Sequence, residues 1–381
     1  MTKEVYITQT SHFLPNEPVS NEEMEAYLGM INGAPSRSRR IVLRNNGIQC
    51  RYSAMTPEGI ATHTNAQMAA LAVRALFENP TLELPQLELL CCGTSSPDQL
   101  MPSHGVMVHG WLPEAGPIEV LSPSGNCCSG MHALKYAWLA VKTGEAQRAV
   151  TTGSERLSRI LRADSFQEEA SHLARLEEQP YIAFEKEFLR WMLSDGAGAW
   201  LLSPRPRSQG PSLRIDWIES VSYAHRIEAC MYQGADKLED GSLKSYMDYQ
   251  PQEILQQSIL SIKQDVKLLS QHIVSFGFDK LKVICEKRGL DTAALTYFIP
   301  HISSEFFRPK IAAKLAQNGM AIPDEKWYSN LATKGNVGAA SVYLMVDELF
   351  HSGRLKAGDT LLLVVPESAR FSYVFALLTV V

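Results

Sequence analysis

The sequence has no long apolar run. Stretches such as 361–365 are the longest aliphatic ones, far short of the roughly 20 residues that a membrane-spanning helix requires. It has no excess of basic charge either, with 36 Lys and Arg against 41 Asp and Glu. A general affinity for nucleic acid, which needs a concentrated cationic surface, is therefore not expected. The seven cysteines, at 50, 91, 92, 127, 128, 230 and 285, contain no CxxC spacing, and no His, Cys, Asp and Glu cluster has the spacing of a zinc site. Reduced thiols of a cytoplasmic protein without a structural metal are the expectation. The opening MTKEVYITQT has no basic segment followed by an apolar one, so no secretory signal is read there. What remains is a soluble globular chain. With 381 residues, 45% of them apolar, it can bury a large core.

Short apolar runs at 87–92, 149–152, 295–299 and 361–365 read as buried strands. Helix-like stretches at 66–77, 130–141, 309–317 and 338–350 lie between them, a pattern of the α/β class with a largely parallel core. The chain also repeats itself. A spacing of 208 residues (303 − 95) separates Ser95-Ser96 from Ser303-Ser304, and the same spacing carries Cys128 to Asn336 and Gly130 to Gly338. Two halves, 1–205 and 206–381, are expected to meet at the Pro-, Ser- and Arg-rich stretch 203–212. Packed about a pseudo-twofold axis, they would face the starts of two central helices toward each other.

The segment SPSGNCCSGMHALKYAW, 122–138, places a cysteine pair at the start of a helix that is apolar nearly all round. The positive end of a helix and its free N–H groups favour a thiolate, which suits a nucleophile. His301 follows an apolar strand, where strand ends in α/β folds supply site residues. Asn336 precedes a buried helix and is equally suited to capping it. A neutral His and an Asn amide are two hydrogen-bond donors that can meet one developing oxyanion.

These residues carry a resemblance. The order Cys, His, Asn resembles the thiolase-fold condensing enzymes, in particular the β-ketoacyl-ACP synthase III group. NNGIQCRYSA (45–54), GTSSPDQLMPS (93–103), CCSGMHAL (127–134), LSDGAGAWLL (193–202) and KGNVGAAS (334–341) follow in the order of that family. The resemblance implies a five-layered α-β-α-β-α sandwich of two related halves, usually homodimeric. It implies no bound cofactor, the substrates being thioesters of coenzyme A or acyl carrier protein. It places the acyl-accepting cysteine at Cys128, the decarboxylation pair at His301 and Asn336, and an oxyanion hole at the backbone of Cys128 and Ser368. Cys127 is then a packing residue.

Two segments depart from the family: His-Ile-Ser-Ser at 301–304, and PESARFSYVFALLTVV in place of a glycine-rich loop. Both resemble the ketosynthase/cyclases of dialkylresorcinol and bacterial stilbene biosynthesis, which join two β-oxoacyl chains and close a cyclohexanedione ring. Other readings inside the fold are an acyltransferase to an alcohol or amine and a simple initiating ketosynthase. Glu155 and Glu367 end equivalent strands, and Glu155 is a candidate acid or base. Arg37, Arg39, Arg40, Arg308 and Lys310 are candidates for contact with a carrier protein or pantetheine phosphate. The stretch 171–192 reads equally as a solvated helix or as a lid.

Overall fold

The computed structural model describes residues 3–33, 35–36, 38–78, 84–166 and 189–381. The stretch 171–188, read above as a helix or lid, lies outside the described residues.

Nine strands form one sheet. They are β1 (Tyr6–Phe13), β2 (Leu89–Thr94), β3 (Glu119–Leu121), β4 (Ala149–Glu155), β5 (Gly196–Ser203), β6 (Leu213–Ser222), β7 (Tyr297–Pro300), β8 (Thr360–Glu367) and β9 (Ser372–Val380). Their order is β7-β8-β9-β6-β1-β5-β4-β2-β3. Between β1 and β6 the pairing is short, Tyr6 with Arg214 and Ile7 with Leu213. On either side of this seam the order repeats: β1-β5-β4-β2 mirrors β6-β9-β8-β7. In each run two antiparallel pairings are followed by a parallel one.

The helices that cover and fill this sheet among the described residues include α1 (Asn65–Ala75), α2 (Ser129–Thr143), α3 (Val266–Arg288), α4 (Arg308–Ala316) and α5 (Ser341–His351). Alternation along the strands sorts their side chains into layers, because successive residues face opposite sides of a sheet. Leu89 and Cys91 join the central cluster with α2 and α5, whereas Leu90 and Cys92 pack outward with α1. Across the seam, Leu361, Leu363 and Val365 face the centre, and Leu362 faces outward with α3. The result is α1, sheet, central α2 and α5, sheet, outer α3 and α4: the five-layered sandwich expected from the resemblance. No helix among the described residues is long and apolar enough to cross a membrane.

Several motif residues act as clamps. Asp98 accepts the N–H groups of Asn65 (2.9 Å) and Ala66 (3.0 Å) at the start of α1. Asp195 is fully buried and accepts the N–H groups of Ala54 (2.7 Å), Leu157 (2.6 Å) and Ser158 (2.9 Å). These bonds hold the loops that flank the start of β5.

The central helices begin differently from each other. Cys128 is the N-cap of α2, while a 3-10 turn, Gly338–Ala340, separates Asn336 from α5. The two starts touch: the Tyr343 hydroxyl donates to the Gly130 carbonyl at 2.8 Å. A Cβ on Gly130 would lie 2.6 Å from the Ala339 oxygen and 2.9 Å from the Tyr343 ring. Alanine favours a helix over glycine by about 1 kcal/mol, but overpacking costs about 1–3 kcal/mol, so sterics win. Gly130→Ala is expected to lower the urea midpoint with an unchanged m-value.

Candidate active site

The candidate site is built where α2, the end of β7 and the turn before α5 converge on one cavity. About 1150 Å³ of empty space lies there, counting its open mouth. Asn126, Cys127, His301, Asn336 and Ser368 are among the polar residues that line it. Leu157, Leu193, Ile273, Phe278, Phe307 and Leu315 are among the apolar side chains that do so.

The cysteine pair is divided between two environments. Cys128 is fully buried, and its thiol donates to the Val365 carbonyl of β8 at 3.2 Å, away from the cavity. Cys127 is half-buried and lines the cavity with His301 and Asn336. Consecutive helical positions point about 100° apart, so only one of two adjacent thiols at a helix start can face a given space. Of the two thiols, Cys127 is the one that lines the cavity, whereas Cys128, the expected acyl acceptor, is enclosed beside β8. The expectation of a resting thiolate is corrected. Burial, and after it the Glu367 carboxylate, raises both thiols above the ordinary cysteine range. Desolvation and a nearby negative charge outweigh the helix start.

His301 donates its backbone N–H to the Val364 carbonyl at 2.8 Å, which anchors it at the end of β7. Burial lowers its imidazole to about 4, so the ring is neutral at pH 7. The Asn336 Oδ1 accepts the Gly338 N–H at 3.0 Å. That bond sets the orientation of the amide, and among the described residues nothing accepts from Nδ2. His301 and Asn336 thus bring two neutral donors to the lining that holds Cys127. In the His-Ile-Ser-Ser segment, Ser304 is engaged locally, where its hydroxyl donates to the Asn45 carbonyl at 3.1 Å.

The oxyanion-hole assignment changes as well. The Cys128 N–H is directed at Glu367 Oε2 (3.4 Å), which also accepts the Asn126 N–H (3.1 Å). A carboxylate therefore occupies the anion-binding start of α2. Ser368 does line the cavity, with its Oγ 3.9 Å from the Met231 sulfur. Glu155 is fully buried behind the site and does not line the cavity; its carboxylate accepts from both Ser95 and Ser96 hydroxyls and from the Ala339 N–H. Glu367, raised by burial, is the carboxylate next to the thiols.

Arg37 lies outside the described residues. Arg40 is exposed on the helix Arg39–Asn46, whereas Arg39 pairs with Glu25 at 3.0 Å. That helix packs against the turn leading into α4, where Lys310 sits over the Phe306 ring (3.9 Å). Arg308 pairs with Asp324 at 3.6 Å and stacks on Trp327. Among the described residues no group of His, Cys, Asp and Glu could hold a metal ion.

The chain is similar to known proteins over nearly its whole length. Residues 285–367 match the family described as 3-oxoacyl-acyl-carrier-protein (ACP) synthase III C terminal. The chain is 23% identical over 358 residues to the β-ketoacyl-ACP synthase III of Chlorobaculum tepidum, covering 94% of each chain. It is similar in structure to AbyA1, a tetronic acid condensing enzyme, at 20% identity and a TM-score of 0.77, over 98% of this chain and 99% of that one. It is also similar to Xanthomonas campestris OleA, solved with bound lauric acid and lauroyl-CoA, at 18% identity and a TM-score of 0.75 over the whole of both chains.

The buried thiols make a prediction for alkylation. Between about pH 7 and 10, iodoacetamide should modify Cys127 slowly at first and faster as pH rises, leaving Cys128 unmodified in the folded protein. Glu367→Gln removes a negative charge near the thiol and should speed Cys127 alkylation several-fold at about pH 8, read by peptide mass spectrometry. The chain has the fold of a solved 3-oxoacyl-ACP synthase III, that of Aquifex aeolicus, at 20% identity and a TM-score of 0.69 over 98% of this chain and 99% of that one.

Proposed function

We propose that this protein is a condensing enzyme that forms carbon–carbon bonds by Claisen chemistry through an acyl-cysteine. The observation that carries the reading is the convergence of Cys127, His301 and Asn336 on one apolar cavity. The Cys127 sulfur attacks the carbonyl of an acyl thioester; its proton leaves with the departing thiol of coenzyme A or acyl carrier protein. The carbonyl of a second thioester then rests against the His301 ring and the Asn336 Nδ2. Loss of carbon dioxide, or of a proton, from its α-carbon gives an enolate whose oxygen these two donors stabilise. The α-carbon attacks the acyl-cysteine, the new C–C bond forms and the C–S bond breaks. Cys127 leaves as thiolate and is reprotonated.

Neutral His301 suits this step, because it can donate without being a strong acid. The apolar wall favours a hydrocarbon acyl chain over a polar one. We assign to Glu367 the proton transfers that Glu155 was expected to make, since Glu367 meets the Cys128 N–H while Glu155 is enclosed by Ser95, Ser96 and the Ala339 N–H. A carboxylate there supports the finer reading, in which a second condensation between two β-oxoacyl units closes a cyclohexanedione ring of the resorcinol or stilbene precursor type. Arg40 and Lys310 are the exposed cations offered to a carrier protein or pantetheine phosphate. A homodimer is proposed through the free edge of β3. Leu100, Met101, Trp111 and Leu139 are exposed on neighbouring segments of that half.

Mass spectrometry of the intact protein after incubation with acyl thioesters tests the scheme. The acyl adduct should vanish in Cys127→Ala and persist in Cys128→Ala. His301→Ala and Asn336→Ala should keep the adduct while condensation falls by roughly 10²–10³-fold. An adduct that survives in Cys127→Ala overturns the mechanism. Products carrying an acyl group on an alcohol or amine, with no new C–C bond, overturn the condensing reading.

A further inference from the structure

The apolar wall of the cavity is interrupted by a buried amide. Lys263 and Gln264 pair antiparallel with Tyr232 and Met231, so Gln264 lies opposite Met231. Side chains alternate along a strand, and the two residues accordingly part company. Lys263 is turned to Asp236 and the Ala235 carbonyl. Gln264 lines the cavity together with Ile262, two residues before it, and Met231, its cross-strand neighbour. It is 3% exposed, and among the described residues nothing hydrogen-bonds to its side-chain amide.

The amide faces the cavity, so a chain that displaces water there must answer it or leave it unpaired. Its neighbours bear on which part of the chain meets it. Met231 touches Ser368 through its sulfur, and its N–H donates to the Ala369 carbonyl at 3.1 Å. Ser368 follows Glu367, whose carboxylate caps the start of α2 beside Cys127. The amide is therefore linked through Met231 to Ser368, which lines the cavity together with Cys127.

We propose that Gln264 is a specificity residue that hydrogen-bonds an oxygen substituent on the acyl chain near its thioester, so that the site selects oxo- or hydroxyacyl thioesters over plain alkanoyl ones. The amide can donate to an oxo group through Nε2 and accept from a hydroxyl through Oε1, which makes an oxygen substituent the shared chemistry. A plain methylene at that point leaves the amide unanswered, and polar sites reject such analogues more strongly than apolar pockets reject added groups. The inference rests on reading the cavity as an acyl-chain site and adds the chemical class of the chain.

Calorimetric titration with unreactive thioether analogues of coenzyme A thioesters tests it, using 3-oxo, 3-hydroxy and unsubstituted chains of one length. The wild type should bind at least one oxygen-bearing analogue roughly fivefold to tenfold more tightly than the unsubstituted one. In Gln264→Leu that ratio should fall to about one while the unsubstituted analogue still binds, which also shows an intact cavity. Gln264→Met provides a second variant of similar volume. Equal binding of all analogues by the wild type, or a ratio retained in both variants, overturns the proposal. A Gln264-dependent preference in a protein that forms no C–C bond leaves the proposal standing and removes the condensing reading instead.

Discussion

The Glu155 carboxylate, fully buried at the end of β4, is the interaction on which the geometry of the site depends. Its oxygens accept from the Ser95 hydroxyl at 2.7 Å, the Ser96 hydroxyl at 2.6 Å and the Ala339 N–H at 3.1 Å. Three elements far apart in sequence are joined by one side chain: β4, the loop after β2, and the turn that carries Asn336. Gly338 is required there, since a Cβ would lie 2.8 Å from the carboxylate and its φ is +50°. Burial raises Glu155 and its donors oppose that shift. Leaving those donors unanswered would cost about 1–3 kcal/mol each. The turn that follows Asn336 is thus fixed by a buried group that does not itself line the cavity.

Charge at the other end of the site follows a different logic. The start of a buried helix is a place for an anion, and Glu367 supplies one from within the chain. Burial, with this carboxylate adding to it, keeps the two thiols protonated at rest. On the proposed reading, acylation then requires local proton movement, and the group positioned to take part is the same carboxylate.

Much of the fold was legible because burial patterns are local. The strands at 149–152 and 361–365 and the helices at 66–77 and 309–317 were found within a few residues, since apolar periodicity reports each element without its partners. The 208-residue repeat followed from the same kind of evidence. Polar residues were harder to read. Asp98 and Asp195 stand inside two of the quoted motifs and act as backbone clamps, a role set by N–H groups from other segments. Glu155 and Glu367 are indistinguishable as strand-ending carboxylates; one is enclosed by serines and the other caps a helix. The alternation of Ile262 and Gln264 is visible in the sequence, but nothing local says that their shared face lines a cavity.

The cysteine pair marks the division most clearly. The sequence by itself determined that a thiol stands at the start of a buried helix, with a histidine and an asparagine following in the order of a condensing site. Which thiol faces them was decided only by the tertiary structure. Adjacent residues at a helix start diverge by about 100°, and the direction of each depends on how the helix is rotated against β8. Val365 takes the Cys128 sulfur, and Cys127 is left facing the cavity.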